Sequence, residues 1–121
     1  MKYVMLTYTS REAADAWDAM SDEGRKEEID RHIEWFRTHG DRILGGEELA
    51  YPPQLFTIEQ RAGKPLISDG PYPETKEVLG GVIFFEAETL EQAQAIAASW
   101  PNLDGPGNRV VLSPGGSTVP G

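Results

Sequence analysis

KYVMLTYT, residues 2–9, carries Tyr, Val, Met and Leu with hardly a polar break. A run of that kind is expected of a strand that lies central in a sheet. VIFFEA, residues 82–87, is the second strongly apolar run and marks another such strand. Working outward from the first, Thr9 and Glu12 have the spacing of a capping box, so a short helix is expected to start there and run to about Met20. Ser21, Asp22 and Gly24 interrupt it. Residues 25–38 then resume helical spacing, with Ile29, Ile33 and Phe36 on one face and Gly40 placed as the C-cap.

Residues 42–49 contain Ile43, Leu44, Gly45 and Gly46, which predicts a strand with a bulge or a close backbone approach, ended by Pro52 and Pro53. Residues 56–61 alternate apolar and polar side chains, Ala62-Gly63-Lys64 can turn, and Leu66-Ile67 begins a return strand. The segment is therefore a hairpin that runs directly into Asp69. Thr89 and Gln92 repeat the capping-box spacing ahead of a helix carrying Leu90, Ala93, Ile96, Ala97 and Trp100, and Pro101 stops it. Val110, Val111 and Leu112 form a last short strand, and residues 114–121 have the composition of a flexible tail.

This order predicts one α+β domain over residues 1–113, a ferredoxin-like antiparallel sheet with helices on one face. The other sheet face needs a cover, and the same face of a second subunit supplies one without extra sequence. A symmetric homodimer is the expectation.

Eleven Lys and Arg stand against 20 Asp and Glu, a formal charge of −9. That balance repels a phosphate backbone and argues against nucleic acid as a direct partner. With no cysteine, a disulfide framework, a thiolate nucleophile and a Cys-ligated metal site are all excluded. The N-terminus lacks the length and cleavage pattern of a signal peptide, and no run approaches the ~18 to 20 apolar residues of a membrane span. The expectation is a cytoplasmic protein with no membrane partner.

Two residues stand out as carriers of chemistry. His32 lies three residues after Ile29 and four before Phe36, toward the apolar face of its helix. A half-buried imidazole there can serve as general base or acid if a carboxylate orients it. The competing explanation is a helix-packing histidine bonded to a backbone carbonyl. Asp69 stands at a strand end immediately before Gly70-Pro71, where loops concentrate functional groups. Its competing explanation is turn chemistry, the carboxylate accepting a nearby backbone amide. Together His32 and Asp69 would form an acid/base dyad.

Lys76 is a candidate anchor for an anionic group, with Thr75 donating a hydrogen bond, and Arg42, Glu47 and Glu48 are candidates to line the same cleft. Gly80-Gly81 is assigned to close backbone packing, because no helix with Lys-Ser/Thr follows as a P-loop requires. His39, beside Gly40 at a helix end, complements the helix dipole and receives no further role. No HxxxH or HxH pair is present, so neither a zinc site nor another cofactor is indicated. Trp17, Trp35 and Trp100 are placed as core or interface anchors.

The start MKYVMLTY, His32, Gly45-Gly46-Glu47-Glu48-Leu49, and above all Asp69-Gly70-Pro71-Tyr72-Pro73-Glu74-Thr75-Lys76-Glu77 with Gly80-Gly81 together resemble the YCII-related family, specifically its DGPF branch. The resemblance covers nearly the whole chain except the tail. Tyr72 replaces the Phe that names the branch, which keeps the ring and adds a hydroxyl, and it is a candidate substrate-binding residue. The resemblance implies a dimeric α/β-barrel protein in which a helix His and a strand-end Asp have been proposed as an active-site pair, here His32 and Asp69. It implies kinship with cofactor-free isomerases, lyases and oxygenases acting on small molecules, often aromatic. It also implies a possible protein partner, since some family domains are fused to or encoded beside sigma-factor-like proteins. Two functions follow from this: a cofactor-independent lyase or isomerase, and a non-catalytic ligand- or protein-binding module associated with transcription regulation.

Overall fold

The computed structural model describes residues 1–50, 54–70 and 77–116. In chain order the elements are β1 (Lys2–Ser10), α1 (Arg11–Ala19), α2 (Asp22–His39), β2 (Ile43–Glu48), β3 (Phe56–Arg61), β4 (Lys64–Asp69), β5 (Glu77–Glu86), α3 (Leu90–Ala98) and β6 (Arg109–Pro114), with a 3₁₀ turn at Pro101–Asp104. Four strands form one antiparallel sheet in the order β2-β5-β1-β6, with the two most apolar runs at its centre. This is the ferredoxin-like arrangement expected from the element order.

Strand alternation sorts the side chains into two faces. Tyr3 lies opposite Phe85 and Met5 opposite Ile83. These four are buried with Trp35 of α2, Ala87, and Ala93, Ile96 and Ala97 of α3. The alternate rows, Val4 opposite Phe84 and Leu6 opposite both Val82 and Val111, look away from the helices. Phe84, in the middle of the sheet, is 45% exposed, so that face has no cover among the described residues.

The expected helices are present with two corrections. Ser10, not Thr9, caps α1: its hydroxyl accepts the Ala13 amide at 2.9 Å, while Thr9 bonds Asn108. Thr9 is drawn into the sheet because β1 runs one residue further than its apolar run indicates. The second correction concerns α2. Ile29, Ile33 and Phe36 do share one face, but they are 48%, 50% and 40% exposed. The stripe turned inward is Glu28, His32, Trp35 and His39, with Trp35 buried. These rings win this competition because they meet Trp100 edge to face and make hydrogen bonds that aliphatic side chains cannot. Gly40 caps α2 as expected, in a right-handed conformation.

β2 contains the anticipated bulge, between Ile43 and Gly45. A side chain on Gly46 would run into the Val82 carbonyl, and one on Gly81 would press on the Glu47 carbonyl. Gly46 and Gly81 therefore serve close strand packing, while a side chain on Gly45 would meet nothing within 4 Å. The residues expected to end β2, Pro52 and Pro53, and the tail from 117 onward lie outside the described residues.

β3 and β4 pair as a ribbon of their own, closed by Ala62 and Gly63 at φ 52° and 75°. That backbone sign matches the twist of a two-residue hairpin turn. Among the described residues, no helix is long and apolar enough to cross a membrane.

Candidate functional site

The helix side of the sheet carries a cluster of rings from α2 and the end of α3. Trp35 and Trp100 meet edge to face with centroids 4.9 Å apart. His32 stands edge-on to Trp100 at 5.1 Å, and His39 lies 4.9 Å from Trp35. His32 and His39 are seven residues apart, so two helical turns put them on one face, with the indoles between them.

Each imidazole is fixed by a hydrogen bond that assigns its proton. His32 Nδ1 lies 2.7 Å from the Glu28 carbonyl oxygen. A carbonyl only accepts, so Nδ1 carries the hydrogen and the neutral ring keeps its lone pair on Nε2. Around His39 the logic passes through Ser99. The Ser99 hydroxyl donates to the Ile96 carbonyl at 2.6 Å and accepts the Trp35 indole N–H at 2.9 Å. With its one proton committed, Oγ can meet His39 Nε2, 3.3 Å away, only as an acceptor. His39 is thus Nε2-protonated, with its lone pair on Nδ1. Burial holds its pKa below the ordinary histidine value, and the nearby Arg42 charge pushes the same way.

His39 borders an open cleft of about 360 Å³ between α2 and the segment around Ser99 and Pro101. Arg31, on the same wall, is occupied. It bonds Glu28 at 2.6 Å, the Pro101 carbonyl at 2.8 Å and Asp104 at 2.9 Å, which raises its pKa. Its work is to tie the 3₁₀ turn to α2.

Asp69 ends β4 directly opposite Phe56. The turn is closed without its carboxylate: the Gly70 amide donates to Leu55 O at 2.9 Å, and the Thr57 hydroxyl donates to Gly70 O at 2.6 Å. Asp69 is exposed, and its side chain makes no hydrogen bond or ion pair among the described residues. Within one chain it does not meet His32, whose contacts are Glu28 and Trp100.

The other candidates are spread along the sheet. Arg42 precedes β2 and reaches Gln92 at the start of α3, at 3.2 Å. Glu47 is paired with Val82 near the far end of β2, on the uncovered face. The chain does not bring these two into one cleft. Tyr72, Thr75 and Lys76 fall outside the described residues.

Sequence reasoning missed the cluster at Arg109. Its guanidinium grips Glu77 with two bonds of 2.8 and 2.7 Å and lies 4.5 Å from the Tyr8 ring centre. The bonds to Arg109 hold the Glu77 carboxyl below its usual range. Alternation from Val111 places Arg109 on the uncovered face, and that was the available signal. Ser99 was missed as well, because its role depends on a contact 64 residues away.

The family model of the YCII-related domain matches residues 1–111. An uncharacterised protein of Rhizobium meliloti (strain 1021) is 24% identical over 104 residues, covering 86% of this chain and 83% of that one. Among solved structures, the chain is similar in fold to 5-chloro-2-hydroxyhydroquinone dehydrochlorinase from Burkholderia phenoliruptrix AC1100, in complex with 2,5-dihydroxybenzoquinone. That match has a TM-score of 0.50 and 12% identity, and covers 92% of this chain and 91% of that one.

Proposed function

The chain belongs to the YCII-related domain family, and on that premise we propose that it binds a small organic acid or ring compound and moves a proton on it without a cofactor, as a lyase or isomerase. The observation that carries this reading is the Nδ1–H bond of His32 to the Glu28 carbonyl, which leaves the Nε2 lone pair without a hydrogen-bond partner among the described residues. In the proposed step Nε2 takes a proton from a carbon next to a carbonyl, and the freed electron pair moves onto the carbonyl oxygen. The pair then returns to a different carbon, which takes the proton back from Nε2, or expels a leaving group, with the proton passing from Nε2 to that group or to water. Asp69 is the charge partner of the imidazolium that forms, or the second acid/base group. It is not the orienting group, since Glu28 already holds Nδ1. The fold neighbour's ring substrate makes hydroxylated quinones the first compounds to try.

The same reading takes the protein to be a symmetric homodimer whose uncovered sheet faces meet through Val4, Leu6, Val82, Phe84 and Val111. A non-catalytic module that docks a transcription regulator such as a sigma factor is the second reading, favoured by the exposed stripe on α2.

Thermal-shift screening of quinones and small acids would identify a ligand, and proton exchange on it would then be followed by NMR in D₂O. His32→Gln should keep the binding shift and lose at least 100-fold in exchange rate, the lower end of the contribution of general acid–base catalysis. Unchanged exchange in both His32→Gln and Asp69→Asn would overturn the catalytic reading in favour of the second.

A further inference from the structure

The β3–β4 ribbon is a freestanding pair of strands, and two strands alone are marginally stable in water at best. Its register puts Ile58 opposite Ile67 and Phe56 opposite Asp69, so these four side chains share one face. Phe56, Ile58 and Ile67 are 63%, 68% and 65% exposed. No other described residue of the chain covers them. Whatever does cover them also meets Asp69.

α2 carries the matching surface. Ile29, Ile33 and Phe36 form a largely exposed apolar line about 10 Å long at 1.5 Å per residue, with the Phe36 ring edge-on to Trp35 and Trp100 at its inner side. On the ribbon, Phe56 and Ile58 are about 7 Å apart along β3, and their side chains extend the reach. His32 lies beside that line, three residues from Ile29 and four from Phe36, so it is a helix-surface neighbour of both. In chain order the α2 stripe precedes β2 and the ribbon follows it.

We infer that the ribbon of one protomer docks on α2 of a second copy and delivers its Asp69 to the partner's His32, so that each site is built from two subunits. The inference rests on the dimeric proton-transfer reading above and deepens it. A second copy is the occupant because every chain carries one uncovered ribbon and one uncovered α2 stripe. A two-fold axis satisfies both at once and leaves neither over. The pairing is also chemically suited: Asp69 has an unengaged carboxylate, and protonated His32 presents Nε2–H as its donor.

The chain contains no cysteine, so introduced thiols report alone. Ile58→Cys in a tagged chain and Ile33→Cys in an untagged chain, co-expressed and oxidised, can form a disulfide only between subunits. The expected result is a covalent heterodimer on a non-reducing gel, at least tenfold above the yield from Ile58→Cys with Phe84→Cys on the sheet face. Ile67→Cys with Phe36→Cys repeats the test if either first variant misfolds. Preferential cross-linking to Phe84→Cys, or no cross-link with either pair in a wild-type dimer, overturns the inference. Sedimentation of the wild-type chain separates the two levels, since a monomer would overturn the dimer reading itself. Mixed His32→Gln and Asp69→Asn subunits should recover up to half of the sites in a heterodimer, and no recovery counts against a shared site.

Discussion

Replacing Ser99 with Ala tests the network that holds the aromatic wall behind His32. The Trp35 side chain is 5% exposed, and its indole N–H donates to Ser99 Oγ at 2.9 Å. Alanine removes the acceptor and leaves a buried donor unsatisfied, at a cost of about 1–3 kcal/mol. The lost bond to Ile96 O adds little, because the Ser99 backbone amide also donates to that carbonyl, at 3.2 Å. His39 is only half-buried, so water can replace its lost partner. At roughly 4 °C per kcal/mol for a chain of this size, Tm should fall by about 4–12 °C. Equilibrium urea unfolding is the assay, with the slope m unchanged so that the midpoint shift measures stability. Trp35→Phe, which deletes the donor, supplies the control: in that background Ser99→Ala should cost at least ~1 kcal/mol less. A cost under about 0.5 kcal/mol, or no coupling between the two sites, would refute the assignment of the Ser99 oxygen as the indole's acceptor.

Other outcomes follow from the same structure. His39 has a depressed pKa, so the unfolded chain binds more protons than the folded one just below the ordinary histidine value of 6.5. Its contribution to stability is full above that value and is lost as pH falls through the folded pKa, and His39→Gln should flatten this part of the urea midpoint–pH curve. Gly46→Ala would force β2 off β5 at the Val82 carbonyl, costing about 1–3 kcal/mol, with β2 amides losing hydrogen-exchange protection first. Phe84→Asp should leave a folded monomer, because the position is already 45% exposed within the chain. Sedimentation should show dimerisation weakened about 100-fold or more, the equivalent of about 2.7 kcal/mol.

The sheet was legible because its two central strands declare themselves by composition, and their neighbours by alternation and turn residues. The hairpin boundary at Ala62-Gly63 and the stop at Pro101 are both local signals of that kind. α2 was harder. Its two stripes differ by about one residue of rotation, and a hydropathy count favours the isoleucines over a line made of Glu, His, Trp and His. Only Trp100, more than 60 residues away, tips the helix toward the rings. The site divides in the same way. His32 and Asp69 were identifiable as residues, yet the group that fixes the His32 tautomer is the Glu28 carbonyl, and a backbone atom leaves no mark in a residue pattern. Arg109 and Ser99 gain their roles from partners across the sheet and across the helix pair.

The wiring around Ser99 also settles where protons can travel. Two nitrogen donors, from Trp35 and His39, converge on one oxygen, and that oxygen sends its only proton into the end of α3. The arrangement has no acceptor left that could pass a proton onward. A proton arriving at His39 Nδ1 therefore has no path through Ser99 into α3, and it adds charge beside Trp35 without rearranging a bond. His39 thus exchanges protons with the cleft it borders and not through the aromatic wall.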